Sequence, residues 1–342
     1  MTKKMFASDN NSGVHPIILQ ALMTANDGHA PAYGEDAWTL TAKTAFERHF
    51  GPDIETLFVF NGTGANVIGL KAMVRSHQAI ICTDGAHIHM DEGGAAEGII
   101  GGKLLTVPST DGKLTVHGIE QQLHHLGSQQ RSQPRAVSIS QCTELGTVYT
   151  IAEIKALADC AHQNGLFLHM DGARLSNAAA HLGCSLKEMT VDAGVDMLAF
   201  GGTKNGLMVG EAVVCFRKEF ASELKYIRKQ SMQLGSKMRF IAVQFEQLLN
   251  EDLWLDNAHH ANRMAQLLAE GLQEFPDALL SQSVQSNAVF IRLPRKQIER
   301  IQKNYSFAIW SEPRNEVRLV TSFDTTEEDI QLFLKKVKEA YS

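Results

Sequence analysis

At 342 residues, with 44% hydrophobic and 20% charged side chains, the chain can bury a large core in one large or two medium domains and has the composition of a globular protein, with no disorder expected beyond the ends. A formal charge of −6 and the lack of any dense Lys/Arg run beyond pairs such as Lys335-Lys336 argue against a polyanion-binding surface, so no nucleic acid partner is expected. No stretch approaches a membrane span, and Met1 to Asn10, basic at first, lacks the apolar region of a signal peptide; the expectation is a cytoplasmic protein with no membrane partner.

The periodicity predicts a helix over 16–27, opened by Pro16, and another over 41–50. Between them lies the polar Tyr33-Gly-Glu-Asp36, a segment suited to packing on a neighbouring subunit. From Thr56 the alternation becomes regular. A strand over 57–60, a glycine turn at Gly62-Thr-Gly64 and a helix over 65–76 lead to a strand over 79–82 and the polar Asp84-Gly-Ala-His-Ile-His-Met-Asp91. Strands at 103–107 and 136–140 flank a helix over 116–126. Thr150 and Glu153 form a capping box ahead of Ile151, Ile154, Leu157, Ala158 and Ala161, which share one helical face. Strands at 165–170, 196–200 and 211–216 follow. Repeated strand, helix, strand units argue for an α/β fold with a mostly parallel sheet covered on both sides.

After Arg217 the pattern changes. Helical stretches over 219–250 and 253–274 lead into strands at 287–293, 307–310 and 317–321, and Thr325 with Glu328 caps a last helix reaching Ala340. This reads as a smaller α+β domain, giving a division into 1–250 and 251–342. Cys82, Cys142, Cys160, Cys184 and Cys215 are odd in number, lack CxxC spacing and read as reduced core residues.

Chemistry concentrates where strands end. The apolar run from Asp196 closes in Gly201-Gly-Thr-Lys-Asn-Gly206, which puts the amine of Lys204 on open backbone, and the run from Gly165 closes in Asp171-Gly-Ala-Arg174. Open α/β sheets hold ligands at these carboxyl ends. A lysine able to form a Schiff base, with an acid for a pyridinium nitrogen, suits pyridoxal phosphate. Asn61-Gly-Thr-Gly-Ala-Asn66 offers backbone N–H groups and a helix start to a phosphate, with the Thr63 hydroxyl in addition. His87 could stack on a ring, act as acid or base, or bind metal. His89, the paired His124-His125 and His259-His260 read as ordinary surface residues. Arg174 and Arg318 are candidates for a substrate carboxylate. A structural, salt-bridged role is the plainer alternative, stronger for Arg318 than for Arg174.

Ser8-Asp9, Tyr33-Gly34, Gly62-Thr63 with Ala65-Asn66, Ala86-His87, His169-Met-Asp-Gly-Ala-Arg174 with Asn177-Ala178, and Gly202-Thr-Lys204 together resemble low-specificity L-threonine aldolases. These are pyridoxal phosphate enzymes of fold type I, related to β-eliminating lyases; the bacterial phenylserine-aldolase branch, with its GGTKNG, is most similar. The resemblance implies a large domain with a mostly parallel seven-stranded sheet and a smaller C-terminal α+β domain. It implies that Lys204 holds the cofactor, Asp171 pairs with the ring nitrogen, His87 stacks on the ring, and Gly62 and Thr63, with Thr203 beside Lys204, hold the phosphate end. Ser8, Arg174 and Arg318, with Tyr33, would bind a β-hydroxy-α-amino acid substrate. Lys229 and Arg239 resemble basic residues that reach the phosphate of a neighbouring subunit in a homotetramer, a dimer of dimers with shared active sites. No metal is implied.

One position departs from the family pattern. Where many threonine aldolases carry a second histidine, Gln141-Cys-Thr-Glu-Leu-Gly146 places Glu144. A carboxyl of ordinary pKa, about 4.3, is a weak base at neutral pH unless burial raises it. His87, Glu144 or a water between them could take the substrate proton. A β-eliminating lyase or an aminotransferase would use the same lysine and aspartate; a metal-dependent hydrolase would enlist His87, His89, Asp171 and a modified Lys204; a catalytically silent cofactor-binding or interaction protein is the third reading, and the intact Lys204 weighs against it.

Overall fold

The computed structural model describes residues 4–342, so Met1 to Lys3, the start of the basic segment, lie outside the described residues. Seven apolar runs pair into one sheet: β1 (Glu55–Val59), β2 (Gln78–Thr83), β3 (Lys103–Val107), β4 (Gln133–Ser140), β5 (Phe167–Gly172), β6 (Met197–Gly201) and β7 (Glu211–Cys215), in the order β1-β7-β6-β5-β4-β2-β3. Only β7 is reversed, running antiparallel to both β1 and β6. Parallel neighbours need crossovers that return the chain to the same edge. The loops after β1, β2, β4, β5 and β6 therefore open on one side.

Alternation along the strands fills two layers. Phe58, Leu198, Phe200, Ala212 and Val214 enter one core, while Leu57, Val59, Met197, Ala199, Val213 and Cys215 enter the other. The first is built on phenylalanines. Phe46, from the helix at Ala37–Phe50, lies with ring centroids 5.8 Å from Phe58, 5.4 Å from Phe200 and 5.5 Å from Phe245. Burying each such ring stabilises the fold by about 1.5–3 kcal/mol. The second layer is closed by the helix at Gly62–Met73, and it sits close. A Cβ on Gly69 would lie 2.9 Å from Met197 Cγ, so a larger residue there would push the helix off the sheet.

The second sheet, β8 (Leu279–Leu280), β9 (Ala288–Arg292), β10 (Ala308–Ser311) and β11 (Glu316–Val320), is antiparallel in the order β10-β11-β9-β8. It packs on the helices at Leu253–Gln273, Arg295–Gln302 and Glu327–Tyr341 around a core that includes Phe6. Phe6 donates its N–H to Ser306 O and accepts from Val320 N–H. The N-terminal segment is thereby stitched to the C-terminal part of the chain.

Several local expectations change. The helix after β1 begins at Gly62 rather than Ala65, because Asn61 Oδ1 accepts the Gly64 N–H and caps it there. The helical stretch over 219–250 is two helices, Lys218–Gln230 and Arg239–Leu249. Met232, at φ 61°, interrupts it, and Gln233 turns back to accept the Phe60 N–H at 2.9 Å. The last helix is capped one residue later than the sequence suggests: Thr326 and Asp329 exchange hydrogen bonds, while Thr325 Oγ1 accepts the Ser322 N–H. The stretch over 116–126 is a helix only to Gln122, followed by a tighter turn at Leu123–His125. His89, His124 and His259 are exposed; the side chain of His125 lies outside the described residues. His260 is not a plain surface residue: it is half-buried, its Nε2 2.6 Å from Thr325 O. All five cysteines are free, four of them buried. Among the described residues no helix is long and apolar enough to cross a membrane.

Candidate active site

The carboxyl ends of β1, β2, β4, β5 and β6 converge on a cavity of about 410 Å³, counting its open mouth, lined by Gly62, His87, Glu144, Asp171, Arg174 and Lys204 among others. Each arrives on its own element: Gly62 on the first turn after β1, His87 at the start of the short helix His87–Met90 after β2, Glu144 after β4, Asp171 at the end of β5. Lys204 sits in the tight turn Thr203–Asn205 after β6, braced by Asn257, which donates to Asn205 O. The ends of β5 and β6 touch: a Cβ on Gly201 would lie 2.4 Å from Ala173 O. Glycine there lets the acid and the amine share one cavity.

Buried polar contacts lock the floor. Asn66 Nδ2 donates to Asp171 Oδ2 and to Glu92 Oε1, each at 2.8 Å, and the Ala173 N–H donates to Asp171 Oδ1 at 3.0 Å. Glu92 Oε1 also lies 2.8 Å from His87 Nδ1. That hydrogen bond raises the His87 pKa against the opposing effect of burial. Glu144 Oε1 accepts from Ser140 Oγ at 2.6 Å and from the His87 N–H at 2.8 Å. Burial outweighs those bonds and raises the Glu144 pKa. Lys204 is pushed the other way: burial, then the Arg174 charge, lower its pKa. The arrangement yields a neutralisable amine, an oriented imidazole and a carboxyl poised above its usual range. Such tuned groups gather at functional sites.

The salt bridge the sequence made the plainer reading for Arg318 is found instead at Arg174. Arg174 forms a two-pronged pair with Asp9, Nε to Oδ2 at 2.7 Å and Nη2 to Oδ1 at 2.8 Å, leaving Nη1 outside the pair. Burial opposes both charges, yet the pairing holds the Asp9 carboxyl below its usual pKa and the guanidinium above. Arg318 has no ion pair among the described residues; it stacks on Trp310 at 5.2 Å, donates to Ala7 O, and lines a recess with Thr143, Glu144 and Arg174. Ser8 lies beside Asp9 and caps the turn Asp9–Asn11.

The beta-eliminating lyase family model matches residues 5–294. The low specificity L-threonine aldolase of Pseudomonas aeruginosa is 41% identical over 346 positions, spanning 98% of this chain and 97% of that one. Its counterpart from a Pseudomonas species is 40% identical across 99% and 98%. The chain belongs to the low-specificity L-threonine aldolases. The threonine aldolase of Leishmania major has the same fold, with a TM-score of 0.93 at 30% identity over 98% of this chain and 99% of that one. This is the fold type I architecture, as the motifs implied.

Within this aldolase frame, some predicted residues stand away from the cavity lining. Thr63 follows Gly62 on the helix start, while the Thr203 hydroxyl is engaged with the Gly210 backbone, accepting its N–H at 3.1 Å. Tyr33 is exposed at φ 62°, with Lys229 Nζ 5.3 Å from its ring; Arg239 donates to Gly28 O and lies over Phe240. His89 is not part of the lining. The sequence assigns no role to Asn66, Glu92 or Asp9, although Asn66 and Asp9 stand in its motifs. Asn66 lay inside the glycine-turn motif, and Glu92 is the residue after the polar run that ended at Asp91. The donor atoms of His87, Glu92 and Asp171 all fall within 4.8 Å of one another.

Proposed function

We propose that the protein, with pyridoxal phosphate bound at Lys204, cleaves L-threonine, L-allo-threonine and related β-hydroxy-α-amino acids such as phenylserine to glycine and an aldehyde. The observation that carries this is the meeting of Lys204, Asp171, His87, Glu144 and Arg174 in one cavity of a chain 41% identical to a threonine aldolase.

The residues suit the cofactor. The N–H groups of Gly62 and Thr63 open a helix and have no intrahelical acceptor, and nothing lies within 4 Å of where a Gly62 Cβ would be, so a phosphate can approach the backbone. Asn66 Oδ1 and Glu92 Oε2 are buried without a protein partner among the described residues. Pyridoxal phosphate supplies, when bound, a protonated ring that takes up the electron pair of the breaking Cα–Cβ bond. Asp171, fixed by Asn66 and the Ala173 N–H, would hold the proton on the ring nitrogen. His87, anchored through Glu92, would cover the ring face. Arg174 Nη1 and Arg318 would hold the substrate carboxylate, with Ser8 beside them and Tyr33 supplied by a neighbouring subunit, which orients the Cα–Cβ bond for cleavage. Glu144, with its Oε2 free of the contacts that hold Oε1, would take the proton of the substrate hydroxyl. Lys204, whose amine burial keeps readily neutral, would recapture the cofactor.

In the same reading the protein is a cytoplasmic homotetramer, a dimer of dimers, with Lys229, Arg239 and Tyr33 serving a neighbour's site and Thr203 supporting the phosphate end. Exposed Ile17, Met23, Leu40 and Met208 supply apolar surface for such contacts. Light scattering of purified protein checks the assembly.

The deciding experiment is the visible spectrum of protein loaded with pyridoxal phosphate, followed by product analysis with L-threonine. A cofactor band that disappears in Lys204→Ala, with glycine and acetaldehyde formed in equal amounts by the wild type, is expected. Ammonia and a keto acid in place of aldehyde would assign the site to elimination; a protein that takes up no cofactor would overturn the reading.

A further inference from the structure

A second carboxyl adjoins the lysine turn and has no part in the steps above. Glu211 opens β7, in register with Gly201 of β6 on one side and Val59 of β1 on the other. Alternation puts it on the face of Val213 and Cys215, the face that Asp171 shares on β5. There its Oε2 accepts the Gly202 N–H at 2.6 Å, and its side chain is also hydrogen-bonded by Thr203. Both donors immediately precede Lys204. Glu211 is buried, and its surroundings are mostly apolar: β1 meets it with Val59, and the face it shares with Val213 and Cys215 is the apolar layer closed by the helix at Gly62–Met73. The charged groups acting on it are Lys204 and Asp171.

A buried carboxylate is costly, and a glutamine could accept the same two hydrogen bonds without charge. The charge therefore calls for a partner, and Lys204 is the cation at hand. Burial pushes the Glu211 pKa up to about 7, with Lys204 pulling it back. The coupling is reciprocal: an ionised Glu211 favours the ammonium of Lys204, a protonated one favours the free amine.

We propose that Glu211 is a positioning residue for Lys204: its carboxyl holds the Gly202-Thr203 turn from which the lysine projects, and its charge adds to those of Asp9 and Asp171 in favouring the ammonium over the free amine. The proposal rests on reading Lys204 as the cofactor's anchor, but the coupling can be measured without cofactor.

The test follows carbamylation of Lys204 by cyanate against pH in cofactor-free protein, read by mass spectrometry at that residue. In Glu211→Gln the midpoint falls by about one pH unit, so Lys204 reacts about tenfold faster on the acid side of the wild-type midpoint. Glu211→Asp, which keeps the charge, restores the wild-type midpoint. A merely structural Glu211 would leave the midpoint in place in Glu211→Gln, and that result overturns the proposal. Should Glu211→Gln fail to fold by circular dichroism, Lys204→Met probes the pair from the other side. The Glu211 carboxyl, followed by carbon-13 resonance, then titrates higher than in wild type, and an unchanged titration overturns the proposal. Absence of a cofactor band in wild-type protein would instead sink the reading of Lys204, and the cyanate profile would stand apart from it.

Discussion

Replacing Glu144 by Gln separates catalysis from stability in one substitution. The amide oxygen can occupy the Oε1 position and keep the bonds from Ser140 Oγ and the His87 N–H, so the geometry survives while the proton acceptor is lost. A positioned general base contributes typically about 10²–10⁴-fold, or about 2.7–5.4 kcal/mol at about 1.36 kcal/mol per decade. The low end applies here. His87 lines the same cavity, with its pKa raised by Glu92, and can assume part of the role at higher pH. kcat for threonine cleavage should therefore fall about 10²-fold at neutral pH, with KM nearly unchanged, and the acid limb of the kcat profile should move from Glu144 towards that of the imidazole. Stability should change in the opposite sense. A carboxyl whose folded pKa is raised stabilises the fold below its unfolded pKa of about 4.5, and that contribution is lost as pH rises through the folded value. Glutamine does not ionise, so the variant should unfold at a higher urea midpoint than wild type at pH 8 and lose that advantage at pH 4. Coupled acetaldehyde detection and urea unfolding at the two pH values measure both. Wild-type kcat with an unmoved acid limb would remove Glu144 from the proton transfer.

Other consequences follow from the same geometry. Asp9→Asn leaves the Arg174 guanidinium buried without its anion, which should cost about 3–5 kcal/mol of stability by denaturant unfolding and raise KM for threonine as the arginine shifts. Gly201→Ala places a methyl 2.4 Å from Ala173 O; the ends of β5 and β6 must part, and cofactor retention on gel filtration should drop before the fold is lost. His169 is buried beside Ser138, and burial lowers its pKa to about 4. A lowered histidine pKa gives stability that is present above about 6.5 and is lost as pH falls through about 4. His169→Gln should flatten the fall in urea midpoint between pH 6.5 and 4, and an unchanged slope would assign the acid sensitivity elsewhere.

What could be read along the chain was what neighbouring residues dictate to one another. Apolar runs closed by glycine marked β5 and β6, and with them Asp171, Arg174 and Lys204; the Thr150 box marked the start of its helix; the departure at Glu144 was visible as a letter. Those signals are local because strand period, capping and turn chemistry act within a few residues. Partnerships across the sheet were not legible. Asp9 meets Arg174 across 165 positions, Gln233 reaches back to Phe60, and Glu92 joins His87 to Asn66. None of these pairs has a sequence period, because each depends on which strands lie side by side. The order β1-β7-β6-β5-β4-β2-β3 decided that the lysine turn would rest on Glu211, and the docking of the N-terminal segment, which brings Asp9 to Arg174, made Arg174 the paired guanidinium while Arg318 has no ion pair among the described residues. Local chemistry named the reactive groups; their charge states were set by tertiary burial, since a pKa responds to the dielectric and to the charges that the fold brings within a few ångströms.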